Sequence, residues 1–204
     1  NVSVDGGTIK LDGNYPVGTG NVALGDTALS SGSLSGTYNT AIGNGSLTSN
    51  TSGGANTSVG GNSLDANTTG NYNTGMGYFS LSENTTGSNS VGIGRDALRN
   101  NTTASNNTAV GYQAAYSNTT GSNNDAFGNG ALKLNTTGQL NVALGAYSLE
   151  DNTIGQENTA VGTASLSNNT TANANTAVGR KSLQLNTTGA SNVALGASAL
   201  ESNT

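Results

Sequence analysis

Apolar residues return along this chain at a fixed phase. In a typical unit, such as Asn107-Thr108-Ala109-Val110-Gly111, a small residue, a large apolar residue and a glycine run in series. Four residues beyond the glycine stands a leucine, as in Ser46-Leu47. From Asn39 onward the whole pattern recurs every 17 residues with no insertion or deletion. Units open at Asn39, Asn56, Asn73, Ser90, Asn107, Asn124, Asn141, Asn158, Asn175 and Asn192, with an earlier copy at Asn21 that runs one residue longer. So short a period cannot hold a helix pair or a propeller blade, and it matches one turn of a β-solenoid. The pattern predicts an all-β rod, a parallel β-solenoid of 17 residues per turn, whose ten full turns would span roughly 50 Å.

Numbered from the opening asparagine, positions one to five read as a short strand followed by a turn. Position four is always apolar, and its residues Ile42, Val59, Met76, Ile93, Val110, Phe127, Leu144, Val161, Val178 and Leu195 are expected to form a core column. Position nine supplies a second column, Leu47, Leu64, Leu81, Leu98, Leu132, Leu149, Leu166 and Leu183, with Ala115 the exception. Position three stays small, which implies that another backbone or another chain approaches that face. Successive strand residues point to opposite sides, so both sides of the strand are expected to be packed. The polar arc that follows position nine reads Asn-Thr-Thr-Gly in its commonest form and suits a corner. Asparagines at positions one and twelve would fall on their own copies from turn to turn and bond as amide ladders.

Composition sharpens the assembly. Hydrophobic residues are 32% and charged residues 8% of the chain, and glycine supplies 31 residues. That balance alone would suggest disorder, but a disordered tract has no reason to hold an apolar phase. Each turn offers two dependable large apolar side chains, about 1.5 to 3 kcal/mol apiece when buried. Ordering each residue costs about 1 kcal/mol or more. So lean a coil is expected to share its small-residue face with copies of itself. There is no cysteine to staple it. No stretch is long and apolar enough for a membrane span and no signal peptide is visible. The net charge of -5 is spread thinly, which argues against a nucleic-acid partner. Residues 1 to 20, with the single proline Pro16, are expected to cap the array, and residues 21 to 204 to form eleven repeats with the last one truncated. The chain begins at Asn1 and stops in mid-repeat, as a fragment of something longer would.

The strand motif, Asn-Thr-Ala-Val-Gly with its variants Asn-Val-Ala-Leu-Gly and Ser-Val-Gly-Ile-Gly, resembles the head repeats of trimeric autotransporter adhesins of the YadA type. The likeness covers about 180 residues from Asn21 onward, although the adhesin heads more usually have a shorter period. It implies a left-handed β-roll, a side-by-side homotrimer and a role in adhesion. The lead-in from Gly7 to Gly20 followed by such arrays is also similar to fibre and tail-associated proteins of marine phages. Both resemblances imply a rod on a virion tail fibre or a bacterial cell surface, with a host-cell glycan or surface protein as receptor and no membrane insertion in this segment.

Catalytic chemistry has little to draw on. With no histidine and no cysteine there is no imidazole base, no thiolate nucleophile and no ordinary zinc site. The adjacent acids Glu150 and Asp151, with Glu157 near them, are expected to be solvated surface, and sparse acids argue against calcium. No cofactor or metal is expected, and the chain reads as a non-enzyme. The candidate binding residues are aromatic. Tyr78 and Tyr112 share position six, Phe79 and Tyr147 share position seven, and Arg95, Arg180 and Lys181 lie on the same corner, a pattern suited to stacking sugar rings. Threonine columns at positions two, thirteen and fourteen keep a second class open, an ice-binding solenoid that orders water on repeated hydroxyls.

Overall fold

A computed structural model describes residues 19 to 203. The expected cap over residues 1 to 20, including Pro16, therefore lies almost wholly outside the described residues. Eleven strands of three residues recur at one phase: β1 (Val22–Leu24), β2 (Thr40–Ile42), β3 (Thr57–Val59), β4 (Thr74–Met76), β5 (Val91–Ile93), β6 (Thr108–Val110), β7 (Asp125–Phe127), β8 (Val142–Leu144), β9 (Thr159–Val161), β10 (Thr176–Val178) and β11 (Val193–Leu195). They form one parallel sheet in strictly sequential order, with equivalent residues paired, as in Thr108↔Asp125 and Ala109↔Ala126. The parallel β-solenoid of about 17 residues per turn is thus present.

Backbone bonding between turns continues well past the strands. At position two the N–H groups reach forward, as from Thr108 to Asn124 O at 2.8 Å, but at positions five and seven they reach back one turn, as from Gly111 to Ile93 O at 2.8 Å and from Phe79 to Gly61 O at 3.1 Å. From position nine they reach forward, as from Leu98 to Ala114 O at 3.0 Å and from Asn100 to Tyr116 O at 3.1 Å. The reversal is made by left-handed residues at positions seven and nine, among them Phe79 (φ 56) and Leu98 (φ 51). A left-handed leucine costs about 1 to 2 kcal/mol, which complete burial of its side chain offsets. The backbone approach is closest at position five. A Cβ at Gly111 (φ +138) would stand 2.5 Å from Gly128 O, whereas Gly196, with no turn stacked beyond it, meets nothing within 4 Å. Glycine is required there on two grounds, the positive φ of the local chain and the next turn, which fills the space a Cβ would take.

The interior differs from the expectation in one respect. Position nine is the core: Leu47, Leu64, Leu81, Leu98, Leu132, Leu149, Leu166 and Leu183 are completely buried. Position three joins it, with Ala41, Ala109, Ala126, Ala143, Ala160 and Ala177 fully buried. Position four does not. Ile42, Met76, Ile93, Phe127, Leu144 and Leu195 are exposed, and Val59, Val110, Val161 and Val178 are half-buried. Strand alternation lets only one side of a three-residue strand face the lumen, and the opposite wall comes so close that only the small position-three residue fits. At Gly75 an added Cβ would already lie 2.5 Å from Ser63 Oγ and 3.3 Å from Leu64 Cγ. The close neighbour inferred for position three is the chain's own next wall. The large apolar residues at position four form a stripe on the outer face, beside a position-two row of threonines and valines that the exposed Asp125 interrupts.

What completes the interior is amide, not hydrocarbon. Asn67, Asn84, Asn101, Asn118, Asn135, Asn152 and Asn169 at position twelve are wholly buried. Each donates from Nδ2 to the Oδ1 one turn back, at 2.8 to 2.9 Å. The same Nδ2 bonds the carbonyl three residues on, as from Asn118 to Gly121 O at 2.9 Å. At position one the Oδ1 accepts the backbone N–H of the following asparagine, as from Asn56 to Asn39 at 3.0 Å. Both expected ladders are present. The single coil therefore closes its own centre. The argument that its interior needs a second chain falls, because two rows of buried, mutually bonded amides occupy the space that apolar counting left empty.

Candidate functional site

With the sheet on one side and the amide ladders inside, exposed chemistry collects at the corner built by positions six, seven and ten. Tyr78, Arg95 and Tyr112 occupy position six of three successive turns, and Phe79 and Asp96 follow at position seven. Arg99 and Tyr116 stand at position ten, where the chain leaves the corner. The left-handed backbone at Phe79 and Asp96 turns the chain sharply enough to bring these rows together. The Tyr78 ring lies back on the preceding turn, where a Cβ at Gly61 would meet it at 3.1 Å. Glycine there leaves the ring room to lie down.

Asp96 organises the cluster. Its carboxylate is almost completely buried and takes Arg95 Nε at 3.1 Å and Arg99 Nη1 at 3.2 Å. The guanidinium carbon of Arg95 stands 5.8 Å from the Tyr112 ring centre. That of Arg99 stands 4.4 Å from the Phe79 centre and 6.0 Å from Tyr116. Tyr78 and Phe79 pack with centroids 4.2 Å apart at 56°. The outcome is a rigid platform in which two half-exposed tyrosines flank a guanidinium whose outer side faces solvent. Such a surface can stack a sugar ring and pair with an acidic group.

Four of the seven residues singled out in the sequence, Tyr78, Phe79, Arg95 and Tyr112, share this platform. Tyr147 lies two turns on, its ring against Gly130 and its hydroxyl accepting from Asn129 Nδ2 at 3.2 Å. Arg180 is two turns beyond that, and Lys181 next to it pairs loosely with Glu201 at 3.9 Å. Sequence reasoning missed Asp96, Arg99 and Tyr116. The signal was present in the period, because Phe79 and Asp96 share one position of adjacent turns, and Arg99 and Tyr116 another.

Two acids elsewhere are perturbed. Burial, and then the neighbouring Glu83, push the Asp65 carboxyl above the ordinary aspartate range, against backbone hydrogen bonds that pull it down. Its Oδ1 is buried without a hydrogen-bond partner. Glu150 is raised by burial and then by Asp151, with Lys133 opposing. Among the described residues no group of three or more histidine, cysteine, aspartate or glutamate residues could hold a metal ion. No helix among them is long and apolar enough to cross a membrane. No protein-family model, no curated protein and no solved structure matches the chain.

Proposed function

We propose that this chain is the shaft or head of an extracellular fibre, of the surface-adhesin or phage tail-fibre kind, which stacks side by side as a homotrimer and presents its outer corner to host-cell glycans or surface proteins. The observation that carries the reading is the position-four stripe. A coil whose interior is already complete still leaves a large apolar side chain exposed or half-exposed at position four of every turn, over roughly 50 Å of length. With the position-two residues beside it, the strip covers on the order of 500 Å², the size at which an exposed apolar patch marks an interaction surface. Its side chains vary in size from valine to phenylalanine, as packing against copies of the same irregular column requires. The platform of Tyr78, Arg95 and Tyr112 lies on a different wall and stays open when the sheets meet. The role is display, with no enzymatic step.

Light scattering and sedimentation of the purified chain test the assembly: a mass of three chains is expected, and Ile93→Lys with Val110→Lys is expected to give folded monomers. A wild-type chain that is monomeric and folded at high concentration overturns it. A second reading, ice binding, is favoured by one observation. Thr69, Thr86, Thr103, Thr120 and Thr137 at position fourteen are exposed in successive turns about 4.8 Å apart. Ile154 interrupts the row and the position-thirteen hydroxyls are turned onto the next turn's carbonyl, as from Thr119 to Thr136 O at 2.9 Å. Thermal hysteresis separates the two readings.

A further inference from the structure

The second turn departs from its neighbours in the arc that leads into the next strand. Its arc reads Asn50-Thr51-Ser52-Gly53-Gly54-Ala55, so position sixteen is Gly54 where neighbouring turns carry Asn71 and Thr37, and position seventeen is Ala55 where both flanking turns carry tyrosine. Between Tyr38 and Tyr72 this leaves a notch of about 360 Å³, floored by Gly36, Gly54 and Ala55. That volume lies at the small end of natural ligand sites.

The notch is a gap between side chains, not a flaw in the backbone. Ala55 N–H bonds Thr37 O at 2.8 Å, and Tyr72 N–H bonds Gly54 O at 3.1 Å. Asn71 Oδ1 accepts from Gly54 N–H at 2.8 Å, while its Nδ2 bonds Thr69 O at 2.9 Å, so this wall is held in place. The two tyrosines are the other walls. Both are 67% exposed, and both sit in the left-handed region (φ 60 and 59), an unfavourable conformation for a bulky residue. The left-handed backbone is common to position seventeen of every turn, from Ala55 (φ 54) to Ser191 (φ 59). The Tyr38 ring rests on Gly20, which steers it toward the preceding turn and leaves its other side to the notch. Two rungs separate the tyrosines, about 9.6 Å. Two carbon contacts of about 3.5 to 4.0 Å take up most of that and leave the remainder for the pucker of a saturated ring. The lining carries no charged group, and the hydroxyls of Thr37, Ser52, Tyr38 and Tyr72 are committed to no protein partner among the described residues.

We infer that this notch binds a neutral pyranose, one hexose or N-acetylhexosamine unit of a glycan, held between Tyr38 and Tyr72 with its hydroxyls on Thr37, Ser52 and the tyrosine phenols. The inference rests on the receptor-display reading and supplies it with a second, uncharged subsite. A saturated ring offers C–H groups to both aromatic walls and hydroxyls to the floor. A charged sugar has no counter-ion here and belongs at Arg95.

The test is two-dimensional NMR of the whole chain titrated with methyl glycosides of glucose, galactose, mannose and N-acetylglucosamine. At least one is expected to shift the Gly54, Ala55 and Tyr72 amides saturably. Tyr72→Ala should weaken that sugar at least tenfold. Ala55→Tyr should abolish binding by filling the notch with a residue already borne at the same position on both sides, so folding is not in question. Leu140→Ala, which truncates an exposed side chain at the same position four turns on from Tyr72, should bind as the parent does. No shift at these amides with any of the four sugars overturns the inference. So do shifts confined to Tyr78 and Tyr112, which would leave receptor display standing. Protection of Gly54 and Ala55 by trimer contacts, seen as exchange broadening lost on dilution, overturns it as well.

Discussion

At the scale of single residues, the clearest cost in the fold is Asp65. It occupies position ten, between Thr48 and Ser82 on the neighbouring turns, with one carboxylate oxygen buried and unpartnered and with Glu83 close by. Burial penalises the charged form first and Glu83 adds to the penalty, so the folded chain holds this proton more tightly than the unfolded chain does. The linkage follows directly: Asp65 is most favourable to folding below the ordinary aspartate pKa, and that contribution is lost as pH rises through the raised folded value. Asp65→Asn is therefore expected to raise Tm at pH 7 and to leave it nearly unchanged near pH 3. Thermal melts of both proteins across that range check this, and a variant that melts lower at pH 7 contradicts it. Residue chemistry of this kind was not legible in the sequence. Whether an acid at position ten is solvated or walled in depends on the size of its neighbours one turn above and below.

At the scale of the element, the unit is the rung rather than the strand. Each three-residue strand is too short to be stable alone, and its bonds to the next turn continue through positions seven, nine, eleven and thirteen. Within the rung the buried amides carry the most. Asn118 donates to Asn101 Oδ1 and to Gly121 O, both at 2.9 Å, and accepts from Asn135 Nδ2 at 2.8 Å. Asn118→Ala strands buried polar groups on three sides and is expected to cost about 3 kcal/mol or more. Thr119→Ala, one residue on, removes a single partly exposed hydroxyl bond and is expected to cost about 1 kcal/mol or less. Urea unfolding of the pair measures both, and equal losses would show that the ladder is decorative. The ladders and the position-nine leucines were legible from periodicity alone, because a strict repeat brings each residue onto its own copy. The direction of the strand was not. Ala109 and Val110 alternate correctly under either assignment, and the larger residue would normally be placed inside. Only the narrowness of the lumen, set by Leu98 in its left-handed turn and by the amide rows, reverses that choice. The aromatic platform was half legible for a related reason. Tyr78 and Tyr112 share a column, but Asp96, which orients Arg95 and Arg99, is recognisable only once positions seven and ten are known to meet.

At the scale of the whole molecule, stability is close to a sum of equal steps, since each turn touches only the turns beside it. The chain should therefore tolerate any change that keeps the phase and reject any that shifts it. Its first turn shows where slack exists: the unit from Asn21 to Tyr38 carries one extra residue, yet Ala23 still pairs with Ala41 and Gly36 still packs against Gly53. The surplus falls between Leu29 and Leu34, where Gly32 has open space around it and no asparagine stands on the ladder one turn before Asn50. Deleting residues 107 to 123, one whole unit, is thus expected to leave a folded solenoid shorter by about 4.8 Å. Its β-sheet signal per residue should be unchanged and its unfolding free energy lower by about a tenth. Inserting a single glycine between Thr108 and Ala109 should behave oppositely. It would turn Ala109 outward and Val110 into a lumen that has no room for it, and every asparagine of that turn would slip off its rung. X-ray scattering for length and circular dichroism for fold distinguish the outcomes. A deletion variant that unfolds, or an insertion variant that melts like the parent, would mean that the turns do not act as independent, phase-locked copies.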